Sequence, residues 1–302
     1  MKVTIGLPFF NAGIDLHRAI RSVFAQTHQD WELILVDDGS TDGSLEVARA
    51  ITDPRVRVVS DGNNKKLAAR LNQIVDLANC DIIVRMDADD LMPPERIARQ
   101  LAVLVNEPEI DIVSSGLVSV DGQDEPIGAR WHFADTVERS HLLGKSGAGI
   151  VHAAVMGRRA WFQRNRYDPS VPIAQDYDLW LRASAKDDLS VRIIQEPLYY
   201  VREMGSVTPA KMFRSYKMDR RALWRHRRNL WEARYLLKSF AKTAVLHLII
   251  AAGRLDWLVR RRSTVMQDSA LIAKFRSDLQ AIRTTEVPGL EMDSHDQMNS
   301  NA

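Results

Sequence analysis

Cysteine is almost absent. The 302-residue chain has one, Cys80, which excludes an intrachain disulfide and any multi-cysteine zinc site and fits a reducing compartment. No apolar run reaches the roughly twenty residues that a bilayer-spanning helix needs. Residues 1–11 contain Pro8 and lack an apolar leader core, so they read as a first strand and a cytoplasmic location is expected. There is no G-x-G-x-x-G after that strand and no G-x-x-x-x-G-K-[ST] anywhere, which argues against dinucleotide and P-loop chemistry. Internal repeats are also missing. What remains is an ordinary globular composition, 45% hydrophobic and 26% charged, enough for a large core and one or two domains.

The net charge of +2 hides an uneven distribution. Residues 1–210 carry 23 basic and 30 acidic side chains, whereas residues 211–262 carry 15 basic and 3 acidic ones. Such asymmetry predicts an anionic partner surface for the later segment alone.

The first hundred residues alternate short apolar runs with helical spacing. Val3-Thr4-Ile5-Gly6-Leu7, stopped by Pro8, precedes Leu16, Ala19, Ile20, Val23 and Phe24 at helical intervals. A second strand, Trp31 through Val36, breaks at Asp37-Asp38-Gly39-Ser40 and leads into a helix over residues 43–50. A third strand over residues 56–60, a helix marked by Leu67, Leu71, Ile74, Val75 and Ala78, and a fourth strand over residues 82–86 complete the series. The fold class is therefore α/β, with a mostly parallel, Rossmann-like central sheet flanked by helices. Ligands bind such sheets outside the carboxyl ends of the strands. Asn11, Asp37, Asp38, Asp87 and Asp89 all fall there.

Asp87-Ala88-Asp89-Asp90 packs three carboxylates behind an apolar run. Side chains this close repel one another, and a hard divalent cation shared with substrate phosphates relieves the repulsion. Without a cation, the same residues would form a solvated acidic turn.

Four segments, in order, resemble the family 2 glycosyltransferases with the GT-A fold. They are Val3-Thr4-Ile5-Gly6-Leu7-Pro8-Phe9-Phe10-Asn11, Val36-Asp37-Asp38-Gly39-Ser40-Thr41-Asp42, Asp87-Ala88-Asp89-Asp90 and Gln175-Asp176-Tyr177-Asp178-Leu179-Trp180-Leu181-Arg182. The resemblance covers residues 2–208. It implies an inverting transfer of a sugar from a nucleoside-diphosphate donor, a UDP-sugar first, to a hydroxyl of a glycan or lipid-linked acceptor in cell-surface polysaccharide or glycolipid synthesis.

It also implies roles for particular residues. Pro8, Phe10, Asn11 and Ala88 line the donor site, with Phe10 against the base; Asp38 accepts from the base, and Asp37 and Asp87 lie near the ribose. Lys66, or its neighbour Lys65, reaches the diphosphate. Asp89 ligates Mn2+ or Mg2+, and Asp176 is the general base that takes the acceptor hydroxyl proton. Gln175, Trp180 and His152 are candidates for the acceptor side. Read from the residues alone, Asp176 is also a helix N-cap and His152 a structural histidine. Gln175 stands where the family commonly has Glu, and Glu203 about where it often has a metal-completing His. The Q-x-x-R-W motif of processive synthases is absent, which favours single additions. The non-enzymatic alternative is a nucleotide- or glycan-binding module on a degenerate scaffold. A sugar-nucleotide pyrophosphorylase is disfavoured because Pro8-Phe9-Phe10-Asn11 supplies no Gly-rich, Arg-containing loop.

These expectations divide the chain into a nucleotide-sugar half over residues 1–105, an acceptor and catalytic half over 106–210, a helical extension over 211–283 and a disordered tail over 284–302. In the extension, Tyr216, Leu223, Leu230 and Leu237 recur every seven residues, with Arg220, Arg227 and Arg234 on another line, which predicts one basic amphipathic helix. A second apolar stretch over residues 243–253 leads to Trp257-Leu258-Val259-Arg260-Arg261-Arg262. Tryptophans, an apolar face and arginines together suit an anionic membrane surface, giving a peripheral position at the inner face of a membrane. Packing or homodimerisation is the competing reading, and no recognised motif supports nucleic acid.

Overall fold

Four parallel strands begin the sheet. β1 (Val3–Phe9), β2 (Trp31–Asp37), β3 (Val56–Ser60) and β4 (Ile82–Arg85) alternate with α1 (Gly13–Phe24), α2 (Ser44–Ala50) and α3 (Lys66–Leu77). The computed structural model describes residues 1–131, 134–144, 149–202, 208–254 and 268–291. β1 and β4 are buried along their whole length, as strands covered on both faces must be, which explains their unbroken apolar runs. β1 does not stop at Pro8. It continues to Phe9, pairing Pro8 with Val36, because β4 pairs β1 only as far as Gly6 and the missing N–H falls where one edge is already free.

The second half makes the sheet mixed. α4 (Arg96–Asn106) leads to β5 (Ile112–Val120), which turns at Asp121-Gly122 into the antiparallel β6 (Pro126–Arg130). α5 (Arg139–Gly144), β7 (Met156–Arg158), α6 (Arg159–Arg164), α7 (Gln175–Ala185) and β8 (Val191–Arg202) follow. Strand order is β3-β2-β1-β4-β7-β5-β6, with β8 parallel to β5 along its other edge. β7 is antiparallel to both β4 and β5 and so joins the two halves.

The C-terminal part departs from the sequence pattern twice. The heptad line is not one helix: α8 (Pro209–Arg225) ends at His226, and α9 (Arg234–Ala251) starts after a short 3-10 turn, Leu230–Ala233. The break is built by Asn229, whose Oδ1 accepts the Glu232 N–H at 3.1 Å, and by Glu232, which pairs with Arg139 at 2.6 Å. α10 (Ser269–Thr284) is no outlying extension either. Its Phe275, Leu279 and Ile282 are buried with Leu91, Val118 and Tyr200 against the sheet. Residues 285–291, expected to be disordered, pack as well: Val287 is buried, Thr52 N–H donates to the Pro288 carbonyl at 2.9 Å, and Arg21 donates to the Glu291 carbonyl at 2.9 Å. A few apolar side chains in a polar stretch are enough when a groove receives them. Glu203, Trp257 to Arg262 and residues 293–302 lie outside the described residues. Among the described residues no helix is long and apolar enough to cross a membrane.

Candidate active site

The carboxyl ends of β1, β2 and β4 open side by side, because Phe9 pairs with Asp37 and Gly6 with Arg85. Side chains sew these ends together. Asn11, in the left-handed region at φ 49°, accepts the Thr41 N–H at 2.8 Å and donates its own to Ser40 Oγ at 3.1 Å. Asp37 is buried and accepts from Ser40 N–H at 2.9 Å and Ser60 Oγ at 2.7 Å. Burial pushes its carboxyl up, but those hydrogen bonds outweigh it and hold Asp37 below its ordinary value, so it is ionised. Pro8 is buried within β1, whereas Phe10 stays 48% exposed and offers a free ring face.

Asp38 is more committed than the sequence suggests. Its carboxylate accepts from the backbone N–H groups of Lys65 at 2.6 Å and Lys66 at 3.1 Å and from Arg70 Nε at 2.8 Å. Arg70, fully buried, also holds Asp61 at 2.7 Å. Gly39 allows this loop to close: a Cβ there would lie 3.1 Å from the Asn63 backbone, at φ 80°. Asp38 therefore fixes the loop that presents Lys66, itself exposed, at φ 71° and without an ion-pair partner among the described residues. Asp38→Ala would strand part of a buried guanidinium, and a loss of about 3 kcal/mol in urea unfolding is expected; an unchanged midpoint would contradict the anchoring.

The acidic cluster is asymmetric. One carboxylate oxygen from each of Asp87, Asp89 and Asp90 can lie within 4.8 Å of the others. Asp87 N–H donates to Tyr199 Oη at 3.0 Å, and its Oδ1 accepts from Arg85 Nη2 at 2.6 Å. Asp90 is buried and turned inward, accepting the Arg202 N–H at 3.0 Å, while Leu91 exchanges two backbone hydrogen bonds with Tyr200 of β8. Burial, then the charges of Asp87 and Asp89, push Asp90 well up. Loss of surrounding water and the Asp87 charge raise Asp89 too, although its side chain reaches the surface. Ala88 is buried between them. Three hard oxygen donors in mutual repulsion, two of them reachable from the cleft, fit a divalent cation of the Mg2+ or Mn2+ type.

Asp176 occupies the second position of α7, so it is not the N-cap. That place belongs to Ala174, in the left-handed region at φ 59° and with no side chain to cap. Burial raises the Asp176 carboxyl above its ordinary 3.8, against the pull of the Tyr177 N–H and Arg85. Gln175 is half-buried beside it. His152 Nε2 lies 2.8 Å from Tyr167 Oη, and burial with the Arg85 charge pushes its pKa well down, leaving a neutral imidazole. Trp180 does not face an acceptor. It is fully buried, its ring 5.7 Å from Trp161 and 6.2 Å from His152, because Tyr177, Trp180 and Leu181 form the inward stripe of α7.

Arg85 is the residue that sequence reading passed over. Its guanidinium is buried, binds Asp87 through Nη2, has no hydrogen-bond partner for Nε or Nη1 among the described residues, and interacts electrostatically with Tyr167, Tyr199 and Asp176. The signal was a charge inside the apolar run Ile82-Ile83-Val84-Arg85-Met86, since a buried arginine is retained only with a partner.

A mixed sheet flanked by helices, with acidic strand ends and a further carboxylate on α7, defines a GT-A glycosyltransferase. Residues 4–166 match the family described as Glycosyl transferase family 2, and the chain belongs to it. EpsE of Bacillus subtilis (strain 168), whose name assigns it provisionally to the glycosyltransferases, is 32% identical over 224 residues, 72% of this chain and 78% of that one. The succinoglycan biosynthesis protein ExoU of Rhizobium meliloti (strain 1021) is 29% identical over 191 residues, 58% of this chain and 54% of that one. Among solved structures, S. aureus TarS in complex with UDP superposes with a TM-score of 0.59 at 17% identity, covering 80% of this chain and 71% of that one. The mannosyltransferase PcManGT from Pyrobaculum calidifontis, in complex with GDP-Man and Mn2+, gives 0.55 at 18%, covering 93% and 85%. At these identities the structures speak for the fold.

Proposed function

We propose that this glycosyltransferase moves a sugar, with inversion, from a nucleoside-diphosphate sugar to a hydroxyl of a glycan or lipid-linked acceptor, in cell-surface polysaccharide or glycolipid synthesis. The observation that carries the reading is Asp176: a half-buried carboxylate of raised pKa, linked through Arg85 to the acidic cluster at the end of β4. A sugar hydroxyl attacks slowly unless its proton is taken, and a carboxylate of raised pKa is the stronger base. Arg85 holds Asp87 in place on the donor side, and Phe10, Asn11 and Asp37 frame the space for base and ribose. Lys66 supplies a point charge toward the diphosphate. Asp89, with Asp87, would hold Mn2+ or Mg2+, which when bound offsets the negative charge of the departing diphosphate.

UDP is the leading donor nucleotide, supported by the TarS complexes with UDP and UDP-GlcNAc; the GDP-Man complex of PcManGT keeps guanosine in the comparison. A thermal-shift panel of nucleoside diphosphates with Mn2+ tests the donor site. UDP at a hundredfold its Kd should stabilise the fold by about 2.7 kcal/mol and raise the midpoint accordingly. If no nucleotide moves it, the reading of this chain as a nucleotide-sugar binder fails. Donor hydrolysis under the same conditions separates an enzyme from a binding module, which would show none.

A further inference from the structure

The C-terminal helices carry a surface that the transfer reaction does not use. α8 and α9 run antiparallel, with Phe213 stacked 4.2 Å from His247 and Arg220 donating to Thr243 Oγ1 at 2.7 Å. Met212, Leu223 and Leu246 are buried. On the outer side of α9, Leu237, Phe240 and Leu248 are 71%, 57% and 69% exposed. With Ala241 and Ala244 they form a charge-free stripe roughly 100° wide, since each helical residue turns about 100°. At the tip of the hairpin Leu230 and Trp231 are exposed as well.

Lys238 and Lys242 follow the stripe round α9, and Arg214, Lys217 and Arg221 are exposed on α8, none with an acidic partner among the described residues. The hairpin has only two acidic residues among these cations, Asp219, buried in the pocket that Lys238 and Lys242 also line, and Glu232, held by Arg139. We propose that the outer face of the α8–α9 hairpin docks on an anionic phospholipid bilayer, its leucines, Phe240 and Trp231 entering the interface while the lysines and arginines meet the headgroups. Charge and apolarity choose this occupant together. A second copy paired through the same face would set these cations against themselves, and a polyanion such as nucleic acid would leave the apolar stripe in water.

The hairpin is fixed to the catalytic helix. Arg139 bonds Glu232, the His226 carbonyl and the Leu181 carbonyl, and His226 Nε2 lies 2.7 Å from Asp178 Oδ1 on α7. Docking would therefore set the orientation of Asp176 to the lipid plane. This proposal stands apart from the transfer reading, because donor binding does not pass through the hairpin.

Vesicle sedimentation with the full chain tests it. The protein should sediment with phosphatidylcholine vesicles containing one quarter phosphatidylglycerol, and about tenfold less with phosphatidylcholine alone or in high salt. A triple variant, Leu237→Glu, Phe240→Glu and Leu248→Glu, should bind the anionic vesicles about tenfold more weakly at an unchanged thermal midpoint and nucleotide affinity. If that variant unfolds, Leu237→Ser and Leu248→Ser, read singly with the tryptophan emission of wild type on vesicles, replace it. Absence of wild-type binding, equal binding by the variants, or a lipid-free dimer that the variants dissociate would each overturn the proposal.

Discussion

Replacing Asp176 by Asn is expected to lower sugar transfer, or donor hydrolysis where no acceptor is supplied, by about a thousandfold, roughly 4 kcal/mol of activation free energy. The substitution keeps the size and polarity of the side chain at the second position of α7. The helix start, set by Ala174 in its left-handed conformation, is untouched. Thermal midpoint and nucleotide affinity should therefore stay near wild type while turnover falls. The pH profile gives an independent reading. Burial raises the carboxyl, opposed by Arg85 and aided by the charge of Asp87. The base is active only when ionised, so wild-type turnover should be lost as pH falls through a value above the ordinary 3.8 of aspartate. The residual turnover of the Asn variant should lack that acid limb. Turnover within about threefold of wild type would remove Asp176 from the reaction.

The first hundred residues were legible in the sequence for a physical reason. β1, β2 and β4 are buried almost throughout and the edge strand β3 only partly, and helices cover them, so the alternation of short apolar runs with helical spacing separates β1 through β4 from α1 through α3. Asn11, Asp37 and Asp87 are therefore brought to one sheet edge by the pattern alone. The second half of the sheet was less legible because its arrangement depends on pairings distant in sequence. Nothing local says that β7 runs antiparallel between β4 and β5, or that Leu91 bonds to Tyr200. Trp180 illustrates the same limit: helical spacing gives a stripe, but only packing against Trp161 decides that the stripe faces inward. The seven-residue line from Tyr216 to Leu237 was real as a repeat and wrong as a helix. Asn229, accepting the Glu232 N–H, and Glu232, bonded to Arg139, make it a hairpin. Arg85 needed the tertiary structure most, since its meaning lies in being buried beside Asp87 and near Asp176.

Asp89→Asn is expected to weaken Mn2+-dependent binding of a nucleoside diphosphate by about a hundredfold or more, since even outer-shell partners of a metal contribute tenfold to a hundredfold. Asp90→Asn should change it less than about fivefold. The contrast follows from the partners of each carboxylate. Asp90 already accepts the Arg202 N–H from inside the protein, and burial with two neighbouring charges drives it toward its protonated form, so an amide that can still accept replaces it at little cost. Asp89 reaches the surface, and among the described residues its carboxylate is held only by its own backbone N–H, which leaves it the freest of the three for a cation. Asp87 is intermediate, with one oxygen spent on Arg85. Calorimetric titration of the nucleotide with and without Mn2+ reads the difference without relying on turnover. Equal losses in the two variants would mean that Asp90 turns outward when the site is filled. An unaffected Asp89 variant would return the cluster to an acidic turn and place the cation on residues other than these three.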